Sequence, residues 1–138
     1  MRIGFTCSTF DLFHAGHILM LKEAKTQCDY LIVGIQTDPK IDRPEKNTPI
    51  QSILERFIQL QACKYIDEII PYTHESELMD ILSSYKIDVR ILGEEYKNTP
   101  FTGNKLPIEI YYNKRRHTYS TTELRNRIFD AIQINSKW

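Results

Sequence analysis

The sequence predicts an α/β protein with a doubly wound, mostly parallel five-stranded Rossmann-like sheet that carries helices on both faces. Short apolar segments typical of strands alternate with segments of helical spacing along the chain. Residues 30–35 (YLIVGI) form a nearly continuous apolar run, which is typical of a parallel strand covered on both faces. This alternation favours right-handed crossovers within one sheet.

The first half of the chain predicts two strands, two helices and a long loop. Residues 2–7 (RIGFTC) have the pattern of a first strand, and residues 16–27 have the spacing of a helix. The run at 30–35 is the second strand. Residues 37–49 are polar and contain three prolines, which predicts a loop of the length that often has a function. Residues 50–64 return to helical spacing.

The second half repeats the pattern. It predicts a strand at 68–70 that ends at Pro71, a helix at 75–85, a strand at 89–92, a loop at 93–106 and a strand at 108–112. A last helix has a clear start signal, because Ser120 followed three residues later by Glu123 forms a capping-box pattern.

Composition predicts a single globular domain over residues 1–138. The chain is 41% hydrophobic and 26% charged, and its 18 basic and 18 acidic residues give a formal net charge of zero. No overall field therefore favours nucleic acid or a membrane surface as partner. The longest apolar run is too short to span a membrane. Three cysteines without a C-x-x-C pair indicate free thiols, so we expect a cytoplasmic protein.

The most informative motif is His14-Ala15-Gly16-His17, directly after the first strand. Ligands of doubly wound sheets bind beyond the carboxyl ends of the strands. Gly16 allows close approach of a ligand, and the free N–H groups of a first helical turn favour a phosphate. The four residues alone are also compatible with surface histidines or with an H-x-x-H metal pair, although two ligands do not complete a zinc sphere.

Several separated stretches resemble the cytidylyltransferase family within the HxGH nucleotidyltransferase superfamily. Residues 8–11 (STFD) and 14–17 (HAGH) resemble the family's opening G-T-F-D and H-x-G-H motifs. Residues 115–122 (RRHTYSTT) resemble its closing signature, R-T-x-G-I-S-[ST]-T. Further similarities are Lys46 in the proline-rich loop, the Glu55-Arg56 pair, residues 64–68 (KYIDE) and residues 93–96 (GEEY). The length is similar to that of the short glycerol-3-phosphate members.

The chain departs from the family pattern at three places. Ser8 stands for a glycine, Thr118-Tyr119 stand for Gly-Ile, and Glu94 stands for an aspartate. The first two changes add bulk near the expected nucleotide, and the third lengthens a carboxylate arm in the expected base region.

The resemblance implies transfer of a nucleotide monophosphate from a nucleoside triphosphate, with CTP favoured, onto a small phosphorylated acceptor. Glycerol 3-phosphate is the first acceptor to consider. Pyrophosphate would leave, Mg²⁺ would accompany the triphosphate, and the family is expected to form homodimers. Alternatives are an ATP-using relative, such as an FAD synthase or a heptose-phosphate adenylyltransferase, and a non-catalytic nucleotide sensor.

The resemblance also implies site residues, none of them metal ligands. Arg56 and Lys64, eight residues apart in the predicted helix, would share one face and bind the acceptor's phosphate. The implied roles are catalysis for His14, His17, Lys46 and Arg115, nucleotide binding for Thr9, Phe10, Gly16, Gly93, Glu94, Tyr119, Ser120 and Thr121, and acceptor binding for Asp11, Arg56 and Lys64.

Overall fold

The central layer is a five-stranded parallel sheet. The computed structural model describes residues 1–135, and the strands are β1 (Ile3–Ser8), β2 (Tyr30–Gln36), β3 (Glu68–Tyr72), β4 (Val89–Gly93) and β5 (Glu109–Asn113). Their order is β3-β2-β1-β4-β5, with every neighbouring pair parallel. From β1 the chain moves outward to β3 and then crosses back to β4, so the direction of winding reverses between β1 and β4. The predicted doubly wound sheet is confirmed.

Helices cover both faces of this sheet. They are α1 (Ala15–Lys25), α2 (Ile53–Gln61), α3 (Glu75–Ser84) and α4 (Thr121–Asn135), with a 3-10 turn at Glu94–Tyr96. One apolar cluster joins α1 and α2 to the sheet, and a second joins α3 to the opposite face. In β2 the side chains of Leu31 and Val33 enter the first cluster and that of Ile32 enters the second. The apolar run at 30–35 is thus explained by burial on both faces.

Helix α2 is shorter than predicted. Ser52 is its N-cap and accepts a hydrogen bond from the Glu55 N–H at 3.1 Å, while the Glu55 carboxylate accepts from the Ser52 N–H at 3.0 Å. This reciprocal pair starts the helix at residue 53 rather than 50. The helix ends at residue 61, so the prediction that it extends to Lys64 is wrong.

Strand β3 is longer than predicted, because it does not stop at Pro71. Pro71 lies within β3 opposite Ile35 of β2. Among the described strands, β3 lies at the edge of the sheet and pairs with β2 alone. An edge strand accepts a proline where no ladder N–H is needed on its open side.

The start of α4 is as predicted, since the Ser120 hydroxyl accepts a hydrogen bond from the Glu123 N–H at 3.0 Å. Within residues 1–135, no helix has the length and apolar character needed to cross a membrane.

Candidate active site

The HAGH turn lies where β1 ends, at the point where the direction of winding reverses. Parallel strands on either side diverge there and leave a crevice beyond their carboxyl ends. The connection from β1 to α1 is tightly bent, because Phe10 and Leu12 both have positive φ, of 53° and 51°. Such values are uncommon for bulky residues and store strain that the surroundings must hold in place.

The two histidines form a capping box at the start of α1. Nδ1 of His14, the N-cap residue, accepts a hydrogen bond from the Gly16 N–H at 3.0 Å. Nδ1 of His17 accepts from the His14 N–H at 3.2 Å. Because each Nδ1 is an acceptor, each neutral imidazole carries its proton on Nε2. The sequence spacing H-x-x-H thus satisfies two backbone donors and leaves the Nε2–H of each imidazole outside the helix cap.

Aromatic packing holds these imidazoles in place. The His14 and His17 rings stack with centroids 3.8 Å apart, and Phe10 and Phe13 pack against His17 at 5.3 and 5.6 Å. Burial lowers the pKa of His17 to about 3, with a smaller contribution from His14. Burial is also the main cause that lowers the pKa of His14, and the charges of His117 and Arg115 lower it further. Both histidines are therefore neutral Nε2–H donors near pH 7.

Gly16 has no room for a side chain. A Cβ at this position would lie 2.8 Å from Cε1 of His14 and 2.9 Å from Cε1 of His117. Two imidazoles therefore flank the backbone at the first turn of α1, and any larger residue would displace one of them.

The N-terminus of α4 faces the HAGH turn. The Thr121 hydroxyl donates to the Asp11 carbonyl at 3.1 Å and lies 3.3 Å from Nε2 of His14. Between these segments is a cavity of about 280 Å³. It is lined by Ser8, His14, Gly16, His17, Met20, Gly93, Glu95, Asn113, Arg115, His117, Tyr119, Ser120 and Thr121.

A larger cavity of about 530 Å³ adjoins this one and shares Ser8, Met20, Gly93 and Glu95 with it. Its wall carries three cationic side chains, those of Arg43, Lys46 and Arg90, and two carboxylates, those of Glu75 and Glu95.

Arg90 is the most informative residue of the larger cavity. It is only 3% exposed. One guanidinium nitrogen donates to the Thr102 carbonyl, the group stacks over Phe101 at 5.2 Å, and the buried Nε has no hydrogen-bond partner among the described residues. Buried polar groups normally have partners. An unpaired donor on a buried cation makes Arg90 a candidate anion-binding residue of this cavity.

Lys46 lies on the exposed loop between β2 and α2, and it lines both the larger cavity and a third one of about 180 Å³ beside Asp11 and His17. It therefore shares the wall of the third cavity with His17.

Asp11, which is predicted to bind the acceptor, is one of the residues that line the third cavity. Its side chain is buried, and its two carboxylate oxygens accept hydrogen bonds from the N–H groups of Ile50 and Gln51, each at 2.9 Å. Arg125 of α4 also approaches it at 3.4 Å. Asp11 joins the HAGH turn to the end of the Lys46 loop and thus has a structural role.

The shared helical face predicted for the acceptor pair Arg56 and Lys64 does not form, because α2 ends at Gln61. Arg56 is 2% exposed, and its guanidinium donates to the backbone carbonyls of Thr9, Gln36, Thr37 and Gln51 at 2.6 to 3.2 Å. Lys64 lies beyond the end of α2, is exposed, and places its Nζ over the Tyr65 ring at 5.3 Å. The two residues share no helical face, and neither lines any of the three cavities.

The predicted nucleotide contacts are distributed unevenly. Gly16, Gly93, Tyr119, Ser120 and Thr121 line the small cavity, together with the predicted catalytic residue Arg115. Thr9 lines the larger and the third cavities. Phe10 packs against the His17 ring and lines the third cavity. Glu94 lies in the 3-10 turn and is exposed, and its neighbour Glu95 lines the cavities instead.

Sequence reasoning missed His117, Arg43 and Arg90 as site residues. Arg90 had a detectable signal, since a cation in an otherwise apolar strand (VRILG) must find an anion or a set of carbonyls. Arg43 and His117 lie in loops, where the local pattern does not predict which side chains turn inward.

Comparisons with known proteins find related sequences and a related fold over most of the chain. A cytidylyltransferase-like family profile matches residues 5–127. A probable ethanolamine-phosphate cytidylyltransferase of Encephalitozoon cuniculi is 36% identical over 96% of this chain, which spans only 41% of that protein. A glycerol-3-phosphate cytidylyltransferase of Bacillus subtilis is 32% identical, over 93% of this chain and 98% of that protein. The crystal structure of a lipopolysaccharide core biosynthesis protein of Thermoplasma volcanium is 28% identical with a TM-score of 0.66, over 87% of this chain and 99% of that one.

Proposed function

Since this chain belongs to the cytidylyltransferase-like family, we propose that it transfers CMP from CTP to a small phosphorylated alcohol and releases pyrophosphate. The observation that carries this proposal is the pair of neutral imidazoles, His14 and His17, whose Nδ1 atoms cap α1 and whose rings line the small cavity. The Nε2–H of His14 would exchange its 3.3 Å contact with the Thr121 hydroxyl for a phosphate oxygen. Preorganised donors of this kind stabilise charge that develops in a transition state.

The reaction is an in-line displacement at the α-phosphorus. An oxygen of the acceptor's phosphate forms a bond to the α-phosphorus as the bond to the bridging oxygen of pyrophosphate breaks. Catalysis then consists of positioning and charge stabilisation, without a covalent enzyme intermediate. His14 and His17 donate to the α- and β-phosphates, and Lys46 closes over them from its exposed loop.

Contacts to the leaving pyrophosphate come from the opposite wall. Ser120 and Thr121 lie at the N-terminus of α4, where free N–H groups and the helix dipole favour a phosphate. Arg115 lines the same cavity and is held by a hydrogen bond from its guanidinium to the Tyr119 carbonyl at 2.6 Å. These groups neutralise charge that accumulates as the bridging bond breaks.

Mg²⁺ enters with the triphosphate in this proposal. Among residues 1–135, no group of three or more His, Cys, Asp and Glu side chains has the arrangement to hold a metal ion, and Mg²⁺ is commonly bound through substrate phosphates. When bound, it supplies further neutralisation of the phosphate charge.

The acceptor occupies the larger cavity, with its phosphate at the cationic wall of Arg43, Lys46 and Arg90. Because the two cavities meet at the ends of β1 and β4, an acceptor phosphate there is next to the triphosphate. Glycerol 3-phosphate is our first candidate, since the Bacillus subtilis relative of that name is covered over 98% of its length.

Ethanolamine phosphate is the second candidate. The relative named for it is 36% identical, and Glu75 and Glu95 add two carboxylates to the wall of the larger cavity. A carboxylate is a suitable partner for the ammonium group of that acceptor.

We also propose a cytoplasmic homodimer. The three cysteines are free thiols, as a reducing compartment requires. Helix α4 exposes a row of large apolar side chains, namely Ile128, Phe129 and Ile132, each at least half exposed. A second copy of the chain would remove this surface from water.

A pyrophosphate-release screen tests the function. The wild-type chain is incubated with CTP or ATP and with glycerol 3-phosphate, ethanolamine phosphate, choline phosphate or sugar phosphates. We expect release with CTP and one of the first two acceptors. Release with ATP alone would favour an adenylyltransferase, and CTP binding in calorimetry without release from any acceptor would favour a nucleotide sensor.

A further inference from the structure

A third imidazole lies beside the two histidines of the HAGH turn. His117 belongs to the connection between β5 and α4, at the position that the closing family signature leaves unspecified. It lines the small cavity. Its Cε1 is 2.9 Å from the point where a Cβ of Gly16 would stand, and Cε1 of His14 is 2.8 Å from the same point. His117 therefore flanks the first turn of α1 on the cavity side.

The backbone fixes the tautomer of His117 as it does for His14 and His17. Nδ1 of His117 accepts a hydrogen bond from the Tyr119 N–H at 3.1 Å. The neutral ring therefore carries its proton on Nε2. The ring also stacks on Tyr119 with centroids 5.2 Å apart and an interplanar angle of 23°, which restricts its rotation.

Within residues 1–135, no protein atom accepts a hydrogen bond from the Nε2–H of His117, in contrast to that of His14, which has the Thr121 hydroxyl at 3.3 Å. The ring is only partly buried, and the donor belongs to a residue that lines the cavity. Its neighbours there include Arg115, so the local surface is rich in donors.

We propose that His117 is a third phosphate-binding histidine, which donates its Nε2–H to the phosphate chain of the nucleoside triphosphate. The assignment rests on the proposed nucleotidyltransferase function for the identity of its ligand. It extends the two-histidine site by a residue whose side chain comes from the loop before α4. The connection between β5 and α4 then contributes a side-chain donor as well as the helix N-terminus.

The test uses two variants that separate the Nε2–H donor from the stacked ring. His117→Phe keeps an aromatic ring against Tyr119 and removes the donor. His117→Gln removes the ring and keeps an N–H donor at a similar distance from the backbone. The probe is inorganic tripolyphosphate, whose dissociation constant is measured by calorimetry for the full chain, with thermal unfolding of each variant as a check on folding.

We expect His117→Phe to weaken tripolyphosphate binding about tenfold or more, the scale for one hydrogen bond to a charged group, and His117→Gln to stay within about threefold of wild type. Wild-type affinity in His117→Phe would overturn the assignment, and so would equal weakening in both variants. The probe contains neither base nor acceptor. If the wild type binds tripolyphosphate through His117 but turns over no triphosphate, the proposed function fails while this assignment stands.

Discussion

Nε2 of His14 lies 3.3 Å from the hydroxyl of Thr121, a residue 107 positions further along the chain. The same hydroxyl donates to the Asp11 carbonyl at 3.1 Å, so it accepts from the imidazole. The first turn of α1 and the start of α4 are thereby joined at the wall of the small cavity. A triphosphate in the small cavity meets a His14 that is already oriented.

Loss of this hydroxyl tests its orienting role. Thr121→Val keeps the shape of the side chain and removes both hydrogen bonds, so we expect kcat/KM for the nucleotide to fall about tenfold, the scale of one lost hydrogen bond. Thr121→Ser keeps the hydroxyl and is expected to stay within about threefold. Steady-state kinetics of pyrophosphate release measures both. Equal activity of the valine and serine variants would contradict an orienting role.

The histidines of the HAGH turn are expected to dominate turnover. His14→Ala or His17→Ala should lower turnover by at least about 100-fold, the usual scale for removing one transition-state donor. His17→Asn separates the two functions of that residue, because asparagine retains an acceptor for the His14 N–H and lacks the Nε2–H. We expect it to fold and to be as inactive as the alanine variant.

His74 supplies the matched control for these histidine variants, since it lies at the start of α3 and lines none of the three cavities. Turnover of His74→Asn should be close to wild type. Near-normal turnover of His14→Ala or His17→Ala would refute the role assigned to that histidine.

Burial of His17 predicts a loss of stability in acid. Its pKa is lowered to about 3 in the folded chain, while an unfolded histidine titrates near 6.5. Between these values the unfolded chain binds more protons, so the free energy of unfolding decreases as the pH falls below about 6.5. For this one group the slope is at most about 1.4 kcal/mol per pH unit.

Denaturant unfolding of wild type and His17→Asn at several pH values measures this effect. We expect the difference in unfolding free energy between the two proteins to be largest above about pH 6.5 and to shrink in more acidic solution. Asp42 raises the pKa of His74, so this pair makes the free energy of unfolding increase as the pH falls. The pair is the same in both proteins and cancels in their difference. Curves that stay parallel down to pH 4 would contradict a buried neutral His17.

Local sequence patterns predict the fold and the HAGH turn. They do not predict a side chain's contacts with backbone groups that are far away in the sequence. The continuous apolar run of β2 and the Ser120 cap are local signals, and both are confirmed. The partners of Arg56 include the carbonyls of Thr9 and Gln36, which are 47 and 20 residues away. No spacing within α2 indicates them, so the spacing alone predicts a phosphate contact for a guanidinium that is buried against backbone carbonyls.

Replacement of Arg56 distinguishes a structural role from acceptor binding. Arg56→Met leaves several buried carbonyls without donors, at about 1 to 3 kcal/mol for each unpaired group. We therefore expect the free energy of unfolding to fall by about 3 kcal/mol or more, measured by urea denaturation. Lys64→Met, at an exposed position, should change it by less than about 0.5 kcal/mol. A stable Arg56→Met with only a raised acceptor KM would restore the acceptor interpretation.

Arg90 should control the KM of the acceptor and leave that of the nucleotide nearly unchanged. It lines the larger cavity and is absent from the wall of the smaller one. Arg90→Met removes the unpaired buried donor and its charge while retaining an unbranched apolar side chain. A hydrogen bond to a charged group contributes about 1.5 to 3 kcal/mol, so we expect the acceptor KM to rise between about tenfold and about 100-fold.

Two further variants separate the anion contact from loss of charge and loss of packing. Lys86→Met removes one positive charge from an exposed position outside all three cavities and should leave both KM values unchanged. Arg90→Lys keeps the charge without the planar fork and should recover part of the acceptor affinity. If Arg90→Met raises the KM of the nucleotide as much as that of the acceptor, the proposal that the larger cavity binds the acceptor and the smaller one the nucleotide is contradicted. An unchanged acceptor KM in Arg90→Met would place the acceptor's phosphate elsewhere, because the wall of the larger cavity would then lack its most buried cation at no loss of binding.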